Sequence, residues 1–217
     1  MAALLELVHV TKLYGEKIVF KNVCHAFEAG SVTLLTGDNG SGKSTLLRVM
    51  AGLSLPLEGE VRRAALLESR GGIGYVGHAT FLYPALTALE NLAFWNRAYG
   101  MNLSRGELLA GLEHVGLVLQ AHERVGVFSR GMEQRLNLAR VFLQKPALLL
   151  LDEPGTGLDQ RSLGLLQQEI IAARDRGACV VLISHDIPRD APLADERLLL
   201  NRGRLAPVEG TACSALR

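Results

Sequence analysis

The chain has 217 residues, 48% of them apolar and 21% charged, which excludes a disordered polymer and bounds it to one domain of ordinary size, 1–217, or two very small ones, with a sizeable core. Basic (23) and acidic (22) residues leave a net charge of +1, a field too weak for non-specific nucleic-acid binding as the main task. The three cysteines, Cys24, Cys179 and Cys213, are scattered without CxxC spacing, which excludes a disulfide framework and a zinc site.

The first ten residues lack a basic start and meet Glu6 before any long apolar run, so they read as a strand, Leu4–Val10, and no signal peptide. Val32–Thr36 reads as a buried strand. A glycine-rich loop follows it, and then a helix over Lys43–Ala51 that ends at Gly52. The middle, about 80–130, has no strong strand run but carries helical patterns at Leu86–Tyr99 and Ser104–Gly116. It reads as a helical subdomain inserted into an α/β body. A helix over Gly131–Gln144 leads to the apolar run Ala147–Leu151, and a helix over Arg161–Arg176 leads to Cys179–Ile183. Continuously apolar strands are those buried on both faces, as in a parallel sheet covered by helices. The longest apolar stretches fall far short of the about 20 residues of a membrane span. The tail after Leu205, with Pro207 and Gly210, reads as short and frayed. Alternation of strand and helix predicts an α/β fold with its ligand at the carboxyl ends of the strands.

Gly37-Asp38-Asn39-Gly40-Ser41-Gly42-Lys43-Ser44 fits GxxxxGK[ST] between a strand and a helix, the setting in which the pattern binds phosphate. Glycines let successive N–H groups turn around a phosphate, and the helix N-terminus adds partial positive charge. Lys43 is suited to the β- and γ-phosphates, and Ser44, followed by Thr45, to Mg2+. The run Leu148–Leu151 ends in Asp152-Glu153. Asp152 is placed to hold Mg2+, directly or through water, and Glu153 to polarise the attacking water. The ligands expected are therefore a nucleoside triphosphate and Mg2+.

Three further segments narrow the class. Phe128-Ser129-Arg130-Gly131-Met132-Glu133-Gln134-Arg135 precedes the acidic strand, Gly157-Leu158-Asp159 follows it, and Ser184-His185-Asp186 follows the last buried strand. In this order with the phosphate loop, the chain resembles the ATP-binding-cassette (ABC) ATPases over nearly its whole length. The segments match the signature, the D-loop and the switch histidine. The resemblance implies a P-loop NTPase fold of the ABC type, with a mixed sheet core and an N-terminal antiparallel β region. It implies that Ser129, Arg130, Gly131 and Asp159 meet nucleotide across a head-to-tail dimer of two copies. Glu153 would be general base, His185 would bind the γ-phosphate, and Tyr14 would stack on adenine.

The sequence departs from that family at three places. His78 of Gly74-Tyr-Val-Gly-His78 stands where a glutamine is expected, and an imidazole can also present a nitrogen to metal-bound water. Arg130 replaces a glycine and Met132 a glutamine. The Gly77-His78 pair, Leu86-Thr-Ala-Leu-Glu-Asn-Leu92 and the compact length resemble the ATP-binding subunit of the bacterial cytochrome c maturation haem exporter. That would imply a peripheral place on the cytoplasmic face of the inner membrane, with a multi-span permease subunit and a haem-handling membrane protein as partners. The alternatives are the ATPase of another ABC-2-type exporter (drug, lipid or polysaccharide) or a soluble ABC ATPase. Six aromatic residues crowd into Tyr75–Tyr99, a candidate docking surface for the membrane subunit or else the core of the small subdomain.

Overall fold

The computed structural model describes residues 3–69 and 71–208. In chain order the elements are β1 (Ala3–Tyr14), β2 (Lys17–Glu28), β3 (Val32–Thr36), α1 (Lys43–Met50), β4 (Glu58–Arg63), α2 (Ala65–Glu68) and β5 (Ile73–Val76). There follow α3 (Ala88–Ala98), α4 (Arg105–His114), α5 (Arg130–Gln144), β6 (Leu148–Asp152), α6 (Gln160–Asp175), β7 (Cys179–Ile183), α7 (Ile187–Asp190), β8 (Glu196–Asn201) and β9 (Arg204–Pro207).

Two sheets form. One is antiparallel, in the order β2-β1-β4. The other runs β5-β6-β7-β3-β8-β9, its first five strands parallel and β9 antiparallel at the edge. Side chains alternate across a strand, so the apolar runs divide between two cores. Leu148, Leu150, Val181, Ile183 and Leu35 join the first, against α1 and the antiparallel sheet. Leu149, Leu151, Val180, Leu182 and Leu34 join the second, against α5 and α6. This explains why β6 and β7 are apolar along their runs.

A third core lies outside both layers. Leu89 and Leu92 of α3, Leu108 and Leu112 of α4, Val125, Phe128 and Leu136 of α5 pack there. Capping boxes open α3 at Thr87 with Glu90 and α4 at Ser104 with Glu107.

The N-terminal run continues to Tyr14, longer than its apolar part, because polar positions face solvent on an antiparallel sheet. The start of the tail is not frayed: Ala206 pairs with Leu199 and Pro207 with Leu198, so β9 is an ordered edge strand. Residues 209–217, with Gly210 and Cys213, lie outside the described residues. Cys24 is exposed and Cys179 buried, and burial pushes the Cys179 thiol up to about 12.

Candidate active site

The parallel strands end on one edge, and the loops leaving β3, β5, β6 and β7 converge there. The loop after β3 must reverse tightly under β8. At Gly37 (φ +140°) a Cβ would collide with the Leu200 carbonyl, and at Gly42 (φ +107°) it would sit 2.6 Å from Val19 Cγ1. Only glycine meets both demands. Gly42 then caps α1, whose N-terminus faces the loop.

Lys43 is 7% exposed and donates to the carbonyls of Gly37 (2.7 Å) and Asp38 (3.0 Å), which holds its ammonium over the loop. A cleft of about 480 Å³ opens there. It is lined by Asn39, Gly40, Gly42, Lys43, Ser44 and Thr45 from below, by His78, Glu153 and His185 on one side, and by Tyr14 on the other. Tyr14 is 52% exposed at the β1–β2 turn, with Lys12 Nζ 5.2 Å from its ring centroid. Ser41 is close by, its hydroxyl oxygen buried without a hydrogen-bond partner.

Asp152 ends β6 at 2% exposure, and neither carboxylate oxygen has a hydrogen-bond partner. Burial raises its pKa. The neighbouring Ser44 hydroxyl opposes this without closing a regular hydrogen bond, and His78 and Lys43 oppose it by charge. His78 Nε2 lies 4.0 Å from Asp152 Oδ2, and ligand atoms of His78, Asp152 and Glu153 fall within 4.8 Å of one another. An orphaned buried carboxylate beside a hydroxyl is an oxygen donor set that fits Mg2+. Glu153 has φ +53° and its N–H bonds the Ile183 carbonyl at 3.0 Å. Its Oε1 meets His185 Nε2 at 2.6 Å. The loops after β6 and β7 are thus tied together at the cleft.

The signature residues are placed differently. Ser129 caps α5, its hydroxyl accepting from the Met132 N–H (3.3 Å), and both Ser129 and Arg130 are exposed. A Cβ on Gly131 would lie 2.9 Å from the Gly157 carbonyl, and Gln134 Nε2 donates to the Pro154 carbonyl at 2.9 Å. The signature helix therefore packs on the loop after Glu153. Ser129 and Gly131 do not line the phosphate-loop cleft of their own chain. Arg130 faces a second cavity of about 410 Å³, with His78, Glu133, Asp152 and Glu153. Asp159 caps α6 by accepting from the Ser162 N–H (2.8 Å), a bond that lowers its pKa, and it stands away from the cleft.

Sequence reasoning missed Lys17, Ile18 and Val19, which wall the cleft beside Tyr14. The Gly15-Glu16 turn that brings β2 back past Tyr14 was the available signal. It also missed Arg140, which carries no motif of its own.

Similar proteins identify the family. Residues 20–156 match the family model described as ABC transporter. A linearmycin resistance ATP-binding protein of Bacillus subtilis is 30% identical over 94% of this chain and 68% of its own. A Nod factor export ATP-binding protein I of Rhizobium etli is 34% identical over 90% of this chain and 64% of its own. Among solved structures, an ATP-binding cassette captured as a dimer in a post-hydrolysis state with ADP and Pi superposes with a TM-score of 0.82. It is 30% identical, covering 95% of this chain and 99% of its own. With a phosphate loop, an orphaned buried carboxylate and a matching fold in one molecule, the chain belongs to the ABC transporter family as an ATP-binding, ATP-hydrolysing subunit.

Proposed function

We propose that this chain powers a membrane exporter. Two copies would join head to tail, so that each phosphate loop receives the start of the other copy's α5. The observation that carries this reading is the division of the site. The cleft collects Tyr14, the 37–45 loop, His78, Glu153 and His185, whereas Ser129 and Gly131 stand outside it. The α5 N-terminus, with its dipole and free N–H groups, would meet the γ-phosphate of the partner's nucleotide. Asp159 would join it there.

In the closed pair, Lys43 and the loop N–H groups would hold the β- and γ-phosphates, and Tyr14 would stack on the base. Ser44 and Asp152, with His78 beside them, would hold a Mg2+ ion, which would supply charge neutralisation at those phosphates. Glu153 takes a proton from the attacking water as its oxygen bonds the γ-phosphorus and the bond to the β-phosphate bridging oxygen breaks, releasing ADP. His185, 2.6 Å from Glu153, orients that carboxylate and the γ-phosphate.

The exporter class follows the relatives' names, which speak of linearmycin resistance and Nod factor export. The haem-export reading of Gly77-His78 draws no support from them. Among the described residues no helix is long and apolar enough to cross a membrane. The permease would be a separate subunit. Phe81, Tyr83 and Phe94 are 40–44% exposed, an apolar landing site for it, and the chain would sit on the cytoplasmic face.

Glu153→Gln tests the hydrolytic core. The variant should bind MgATP, lose turnover, and run as an ATP-dependent dimer in size-exclusion chromatography. Full turnover in that variant would remove Glu153 as the base, and a monomer in saturating MgATP would remove the shared site.

A further inference from the structure

Arg140 lies in the middle of α5, only 3% exposed, and among the described residues it has no carboxylate partner. Burial lowers its pKa, and a buried cation without a counter-ion is costly unless other groups solvate it. Those groups come from three elements. Its Nη1 donates to the Tyr99 hydroxyl after α3 (2.6 Å), its Nη2 to the Tyr75 carbonyl in β5 (2.9 Å), and Nε and Nη2 both to Asn137 Oδ1. The guanidinium also lies 5.0 Å from the Trp95 ring centroid and 5.8 Å from that of Phe81. Carbonyl and phenol oxygens in the plane and two π systems around it take the place of a carboxylate.

Two of these partners bracket one loop. Tyr75 and Phe81 stand on either side of His78, and both contact Arg140. The loop is anchored further where Trp95 Nε1 donates to the Phe81 carbonyl (3.0 Å) and where Asn91 bonds both the N–H and the carbonyl of Tyr83. Phe81 is held at φ +54°, and Gly77 crosses the Tyr75 ring so closely that a Cβ would lie 2.5 Å from its hydroxyl. The guanidinium thus meets this loop with both an in-plane donor and a stacking face.

We propose that Arg140 is a positioning residue for ATP hydrolysis: gripping the Tyr75 carbonyl and the Phe81 ring together, it sets where the intervening loop holds His78 against Asp152. The inference rests on the placement of His78 in the hydrolytic site given above. The same guanidinium contacts Trp95 and Tyr99, whose helix also carries the exposed Phe94. A displacement of α3 therefore moves the grip, and through it His78. A lysine keeps the charge but not the planar fork, so it cannot hold carbonyl, phenol and ring at once.

The test is a cycle of four proteins: the full chain, Arg140→Lys, His78→Ala and the double variant, each assayed for kcat and KM with MgATP. Arg140→Lys should lower kcat roughly ten- to a hundredfold, the cost of a misplaced group, with KM for ATP nearly unchanged. In the His78→Ala background the same substitution should lower kcat no further. An unchanged kcat in Arg140→Lys overturns the proposal, as does an equal fall in both backgrounds, which would mark Arg140 as scaffold. If Arg140→Lys does not fold, Tyr99→Phe, which deletes one hydrogen bond to the guanidinium, takes its place. A smaller fall in kcat that vanishes without His78 supports the proposal, and no fall overturns it. A silent His78→Ala beside an inactive Glu153→Gln overturns this inference alone. An active Glu153→Gln overturns the base assignment instead.

Discussion

Asp152→Asn should make the ligand-free protein more stable and the nucleotide-bound protein less so. The side chain is 2% exposed and neither oxygen has a hydrogen-bond partner, so above its raised folded-state pKa the folded protein carries an unsatisfied buried charge. The sign follows from the raised pKa: the folded form binds the proton more tightly, so the ionised carboxylate costs stability at neutral pH, and the cost fades as pH falls through the folded-state pKa. An amide of the same shape removes the charge. Relieving an unsatisfied buried group is worth about 1–3 kcal/mol, and each kcal/mol moves Tm by about 2–4 °C in a chain of this size. Ligand reverses the order. Wild type should gain about 2.7 kcal/mol at a hundredfold excess of MgATP over Kd, and the variant, without its metal carboxylate, much less. The assay is thermal unfolding of both proteins in chelator and in MgATP, at neutral and at acid pH. A variant less stable than wild type in chelator would mean that Asp152 is paired in the folded protein, and would refute the reasoning.

Gly164 lies inside α6, and a methyl group added there would meet nothing within 4 Å, so Gly164→Ala should stabilise by about 0.5–1 kcal/mol in urea denaturation. Gly74→Ala should do the opposite, because the new Cβ would lie 2.6 Å from Pro146 Cγ and 2.7 Å from Val141 Cγ1. Overpacking there should cost about 1–3 kcal/mol in the same assay. Thr87→Ala removes a hydroxyl that accepts the Glu90 N–H at 3.2 Å, and should cost about 1 kcal/mol.

Much of the parallel sheet was legible because its strands are apolar on both faces. Val32–Thr36 and Cys179–Ile183 have the bounds expected, and Leu148–Asp152 is displaced by one residue. Of the strands missed, β2, β5 and β8 bury only part of their runs, and β4 and β9 bury no residue at all. β4 (Glu-Gly-Glu-Val-Arg-Arg) has no buried residue, and it exists because β1 offers it an antiparallel partner. β9 likewise depends on pairing with β8. The phosphate loop and the carboxylate pair could be read from local pattern, since close backbone approach and strand-end acids leave a sequence trace. Arg140 could not, because its partners are a carbonyl, a phenol and two rings scattered from Tyr75 to Tyr99. Only the fold assembles them.

The adjacent carboxylates show how one peptide bond can separate two kinds of chemistry. Asp152 completes β6, where pairing with Ile183 of β7 holds its backbone and the sheet excludes water from its side chain. A second residue in the same conformation would carry its carboxylate to the opposite face of the sheet, into the apolar layer under α5 and α6. Glu153 instead takes φ +53°, a left-handed conformation costly for a side chain of this size, and its N–H still bonds the Ile183 carbonyl. The turn brings the carboxylate to the cleft, one-fifth exposed and hydrogen-bonded to His185. One acid is therefore dry and unpaired, suited to a metal ion, while its neighbour is wet and oriented by a histidine, suited to accept a proton from water. Environment, set by a single strained dihedral, divides the roles between two neighbouring acids of nearly the same intrinsic chemistry.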